Sequence, residues 1–129
     1  MTSTPEYHWH SPSDPRIFVF GSNRRGIHGA GAALYAMREL GASLGVGHGP
    51  TGRCYAIPTC FTPGQPMPLP YIRDNVQRFF AYARDWVYVS LRFFVSEIGC
   101  GYAGYTAKDI APMFADAPDN CDLPPGWRT

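Results

Sequence analysis

The chain has 129 residues, is 45% hydrophobic and 16% charged, and carries a formal net charge of +1. That length suits one compact domain with a substantial core, and that composition excludes a disordered polyelectrolyte. A charge so near zero gives no general pull toward nucleic acid or membrane surfaces, and no apolar run reaches the ~18 residues of a membrane span.

Residues 1–15 carry Pro5, Pro12 and Pro15 with little periodicity and read as an irregular N-terminal arm. They lack the basic start and apolar centre of a signal peptide, so a cytoplasmic chain is expected. Tyr7 and Trp9 are costly to leave in water and are expected to pack. His8 and His10 flank Trp9 and belong to this polar leader; no metal and no cofactor is expected.

Residues 16–129 read as a single domain. Arg16–Phe20 is an apolar strand that breaks at Gly21, and an alanine-rich helix is expected over Ala30–Leu40, ended by Gly41 as a C′ residue. The segment after it holds Gly41, Gly45, Gly47, Gly49 and Gly52 and has almost no intrinsic structure. Cys54–Pro58 is a short strand, and Thr59–Pro68 is a loop constrained by Pro63, Pro66 and Pro68. From Leu69 or Pro70 a helix begins, with Ile72, Val76, Phe79, Phe80 and Ala83 on one face. Trp86–Ile98 is rich in aromatic and β-branched residues and predicts a central strand. Thr106 lies three residues before Asp109, a capping pattern that starts another helix, which Pro112 keeps short. Asp119–Leu123 predicts an edge strand before Pro124.

Strands alternating with helices predict an α/β domain with a mostly parallel or mixed sheet. In such a sheet the strand-to-helix loops emerge together at the carboxyl edge, where ligands bind. Those loops are Gly21–Gly31, Thr59–Pro68 and Gly99–Gly104. Glycine lets backbone approach a ligand closely, and a helix N-terminus attracts phosphate or carboxylate. A ligand with phosphates is the expected guest. The polar groups on this rim are Ser22, Asn23, His28, Thr59, Cys60, Cys100, Tyr102 and Tyr105. Asn23 can hydrogen-bond a ribose or cap its own turn, and His28 can work as acid or base or simply brace a loop. The four cysteines, Cys54, Cys60, Cys100 and Cys121, form no CxxC pair and are expected to be reduced; Cys60 and Cys100 are candidate nucleophiles or inert buried thiols.

Three stretches in this order, FVFGSNRRGIHGAGAA (Phe18–Ala33), YAIPTC (Tyr55–Cys60) and EIGCGYAGYTAKDIAPMF (Glu97–Phe114), resemble a macrodomain in its compact phage and bacterial version. The resemblance is nearest to the branch of DNA ADP-ribosyl glycohydrolases and spans Ile17 to Phe114. It implies a three-layer α/β/α domain with helices on both faces of the sheet. It also implies ADP-ribose, a related NAD-derived nucleotide or an ADP-ribosylated macromolecule as partner, with no membrane partner and nucleic acid only as a modified substrate. Phage origin would place it in the host cytoplasm. By the same resemblance Gly21, Ser22 and Asn23 open the site, with Asn23 on the distal ribose. Gly29, Ala30 and Gly31 approach the diphosphate, and Gly99, Cys100, Gly101, Tyr102, Ala103, Gly104 and Tyr105 form the second phosphate loop. Cys60 stands where that branch has a lysine, and Ala103 where some relatives have an aspartate; the catalytic candidates are Asn23, to orient the sugar, and His28, as acid or base. The acid that reads adenine in the family is not evident in the short segment before the first strand, where Asp14 is the one candidate. Binding, sequestering or recognising the nucleotide is the first expectation, and hydrolytic removal of ADP-ribose from DNA or protein is the alternative.

Overall fold

A computed structural model describes residues 7–128, so the first six residues of the expected arm lie outside the described residues. The elements run β1 (Ile17–Asn23), α1 (Gly31–Leu40), β2 (Gly49–Thr51), β3 (Cys54–Cys60), α2 (Leu69–Arg84), a 3₁₀ turn (Val87–Val89), β4 (Phe93–Val95), α3 (Ala107–Ile110), a second 3₁₀ turn (Ala111–Phe114) and β5 (Cys121–Asp122). The five strands form one mixed sheet in the order β2-β3-β1-β4-β5. Every pair is parallel except β2 with β3. The domain is therefore α/β, with a sheet whose parallel part is built on β1.

Alternation along the strands divides the core in two, because successive side chains point to opposite faces. Phe18, Phe20, Cys54, Ala56 and Phe94 join Ala36 and Leu40 of α1. Val19, Tyr55, Ile57, Phe93 and Val95 join Ile72, Val76, Phe79, Phe80 and Ala83 of α2, together with Ile110 of α3. The five apolar residues that helical spacing grouped on α2 are all buried. Pro70 sits in the first turn of α2, where a missing N–H costs nothing. The described part of the arm covers what α1 leaves open: Tyr7 stacks on Phe94 at 4.6 Å between ring centroids and donates its hydroxyl to Val95 O, while Trp9 meets Phe18 edge-on.

At the amino edge of the sheet the arm is locked by charge. The Asp14 side chain is fully buried and pairs with the Arg16 guanidinium, which also reaches Asp122. Asp122 is shared with Arg92. Hydrogen bonds from Arg16 hold the Asp14 carboxyl well below the usual carboxylate range.

Two expectations require correction. Trp86–Ile98 is not one strand, because only Phe93–Val95 pairs, interior to the sheet between β1 and β5. Trp86–Ser90 instead continues from the end of α2 into a 3₁₀ turn that closes at Ser90, whose φ is +60°. Tyr88 there is 96% exposed. Aromatic and β-branched residues make a strand only where a neighbouring strand supplies hydrogen bonds and packing, and here none does. The glycine-rich stretch after α1 is also not wholly irregular, since Gly49–Thr51 pairs antiparallel with β3. The short α3 carries the reciprocal Thr106–Asp109 capping box, with Pro112 at the start of the 3₁₀ turn that follows.

Candidate functional site

The loops after β1, β3 and β4 surround a cavity of about 850 Å³. Its position follows from the sheet. The chain leaves β1 toward α1 on the Phe18–Phe20 side, but leaves β3 and β4 toward α2 and α3 on the Val19 side. Loops that part in opposite directions open a crevice at the carboxyl ends of the strands.

The first wall starts at a bulge. β1 and β3 are in register through Ser22 and Pro58, and then Asn23 pairs with Cys60, leaving Thr59 over. Such bulges re-aim side chains at strand ends. Thr59 donates its hydroxyl to Ser22 O, and Ser22 donates its own to Gly47 O. The Asn23 amide closes the following turn, donating to Ile27 O at 2.7 Å and accepting from Ile27 N at 3.1 Å. One amide hydrogen and one lone pair remain on Asn23. The glycines after α1 support this wall from behind. A Cβ on Gly47 would fall 2.0 Å from Asn23 O, so that glycine is required by packing alone.

The second wall is the N-terminus of α1. Ala30 caps it without a side-chain hydrogen bond, and the first turn holds no acidic residue. The N–H groups of Gly29, Ala30, Gly31, Ala32 and Ala33 find no protein acceptor among the described residues. All five residues line the cavity. Opposite lies Gly99–Ala103, and there the N–H groups of Gly99, Gly101, Tyr102 and Ala103 are likewise without a protein acceptor among the described residues. Gly99 is fixed by its φ of +79° and by Ile110, whose Cδ1 would be 2.9 Å from a Cβ. Gly29 and Gly101 differ: neither has a positive φ, and a Cβ on either would meet nothing within 4 Å. The fold does not require glycine at those two positions, and the space beside them belongs to the cavity.

Of the sixteen residues assigned to the site, Gly21, Ser22, Asn23, Gly29, Ala30, Gly31, Thr59, Cys60, Gly99, Cys100, Gly101, Tyr102 and Ala103 line this one cavity. Tyr102, 71% exposed, stands at its edge. His28, Gly104 and Tyr105 lie outside the lining. His28 is buried against Phe20, with Nε2 at 3.1 Å from Ser43 O and Nδ1 unpartnered among the described residues. Tyr105 donates to Met67 O at 2.7 Å and braces the proline loop from the far side. Asp14, the candidate for reading adenine, is consumed by Arg16 at the opposite edge of the sheet.

Sequence reasoning missed Ile27, Pro63, Gly64, Ser96 and Glu97. Glu97 is the lining's one carboxylate, and no lysine, arginine or histidine joins it there. The signal was available, since residues just past a parallel strand's carboxyl end belong to the rim; the overlong strand Trp86–Ile98 hid it.

Chemically the cavity is a set of backbone donors with little side-chain reactivity. Burial pushes the Cys60 thiol up, more than the hydrogen bonds from Thr59 and Gly64 lower it. Cys100 is pushed up by burial and by the charges of Glu97 and Asp109. Both therefore stay protonated and weakly nucleophilic near neutral pH. Ser96 spends its hydroxyl on Val19 O. Among the described residues no group of three or more His, Cys, Asp or Glu side chains is placed to hold a metal ion, and no described helix is long and apolar enough to cross a membrane.

No family model, no curated protein and no solved structure matches the chain.

Proposed function

We propose that the chain binds ADP-ribose or a related NAD-derived nucleotide in this cavity and holds it without turning it over, so as to sequester or recognise it. The observation that carries this reading is the pair of backbone-donor walls. The uncapped N-terminus of α1 faces the same space as the Gly99–Ala103 loop, with no basic side chain in the lining. Oriented N–H groups and a helix dipole favour a diphosphate bridge by geometry as well as by charge. A cavity of about 850 Å³ falls in the usual range for small-ligand sites, roughly 300–1,000 Å³. On this reading Tyr102 and Ile27, both exposed at the edge, cover a sugar or base, and the remaining hydrogen-bonding capacity of Asn23 meets a ribose hydroxyl.

The resemblance to macrodomains supports the choice of nucleotide, and with it the three-layer α/β/α arrangement. Retention is favoured over hydrolysis by the lining itself. Its thiols are held in the protonated form, His28 is outside it, and the positions of the branch's lysine and aspartate are Cys60 and Ala103.

Calorimetry with ADP-ribose, AMP and ribose 5-phosphate tests the reading. ADP-ribose should bind at least tenfold more tightly than either fragment, because only it spans both walls. Tyr102→Ala should weaken it about fivefold, the loss of one aromatic contact worth about 1 kcal/mol. Release of ADP-ribose from modified DNA or protein, abolished in Asn23→Ala or Glu97→Gln, would favour the hydrolase instead.

A further inference from the structure

Behind the wall formed by Asn23 and Thr59–Cys60 lies a second, smaller hollow of about 260 Å³, lined by three basic side chains from three segments. Arg24 comes from the turn after β1, His48 from the segment before β2, and Arg78 from α2. Among the described residues none of these side chains has a hydrogen-bond or ion-pair partner. Arg24 rests over the face of Phe61, 5.4 Å from its centroid, and Phe61 meets Tyr71 edge-on. That stacking restrains the guanidinium and leaves its N–H edge available. Asn75 is already engaged, donating to Pro58 O at 3.0 Å. Asp74 is the only carboxylate in the lining, so two arginines leave the hollow net positive, more so when His48 is protonated.

The geometry points to a second anion site here, separate from the large cavity, that takes a tetrahedral phosphate group, free or as a monoester. The volume fits such a group and is below that of typical small-ligand pockets, roughly 300–1,000 Å³. Two guanidinium forks suit several phosphate oxygens at once, and the imidazole adds a third donor when protonated. Burial, and then the Arg78 charge, hold the His48 imidazole below its ordinary pKa. A bound dianion reverses the sign of the local field, with Arg24, Arg78 and Asp74 the charged groups that face it. Binding of the dianion therefore raises the His48 pKa. The site does not depend on what occupies the large cavity.

The test is an NMR titration of His48 ring resonances, assigned with His48→Gln, using inorganic phosphate and methyl phosphate in separate arms and chloride at matched ionic strength. The expected result is a saturable shift in a phosphate arm, with a raised His48 pKa. Arg24→Gln and Arg78→Gln should each weaken it at least fivefold, while Gly101→Leu, which fills the large cavity, should leave it unchanged. A shift that never saturates, or is equal in chloride, overturns the site. So does a saturable shift that survives in the Arg24→Gln/Arg78→Gln double variant, or one that Gly101→Leu removes.

Discussion

The two ends of the parallel sheet are finished in opposite ways. At the amino edge Asp14, Arg16, Asp122 and Arg92 form one chain of ion pairs, and Tyr7 and Trp9 seal the aromatic face beside it. At the carboxyl edge the helix that follows β1 starts uncapped, and two glycines stand where nothing in the fold needs them. An unmet donor at a helix N-terminus costs stability that a serine or aspartate cap restores cheaply. One end is satisfied by the chain itself, and at the other the backbone donors have no protein acceptor among the described residues. Substitution can break this contrast at either end.

The largest effect should come from the closed end. Arg16→Ala leaves Asp14 buried without its counter-charge, and about 3 kcal/mol of stability should be lost in urea unfolding. Gly47→Ala comes next. It drives a Cβ onto Asn23 O and should cost about 2 kcal/mol, with parallel loss of ligand affinity as the first wall shifts. Acid should expose the closed end on its own. The folded Asp14 pKa lies below its unfolded value, so its contribution is complete above about pH 5 and disappears as pH falls through the folded value. Asp14→Asn should lower stability at neutral pH and flatten its decline between about pH 4 and 2. An unchanged acid limb in that variant would mean the carboxylate is not what holds the arm.

At the open end stability should hardly move. Gly29→Leu and Gly101→Leu place side chains in empty space without a positive φ, so urea midpoints should shift by less than about 1 kcal/mol. Affinity for ADP-ribose should nonetheless fall at least tenfold in both. Loss of stability comparable to Gly47→Ala would show these glycines to be structural, and the contrast between the two ends would fail.

What could be read from the sequence was short-range. The buried face of α2 and the Thr106–Asp109 box each rest on a spacing of a few residues and appear where the spacing put them, whereas β1 runs on through Gly21 to Asn23 and β3 to Cys60, so the first two rim loops begin later than expected. What could not be read depends on neighbours far along the chain. Trp86–Ser90 has strand composition but no strand beside it. Asp14 looks like a free acid until Asp122, more than a hundred residues later, completes the ion cluster around Arg16. Asn23 carried two readings, and its bonds to Ile27 show that turn closure takes half of its amide's hydrogen-bonding capacity. His28 sits between site glycines in sequence, yet its ring turns inward to Phe20 and Ser43 O. Glu97 went unnoticed because the boundary of β4 is set by pairing with β1 and β5 and not by composition.

On the proposed function, unpartnered backbone donors, and not side-chain charge, make the carboxyl edge a nucleotide site. Calorimetric titration of ADP-ribose into the unmodified protein and into Gly101→Leu, at low and high salt, tests it most directly. Saturable one-to-one binding by the unmodified protein is expected, with at least tenfold loss in the variant at equal stability and only a shallow dependence on salt. No heat with ADP-ribose, or equal affinity in the folded variant, would contradict it.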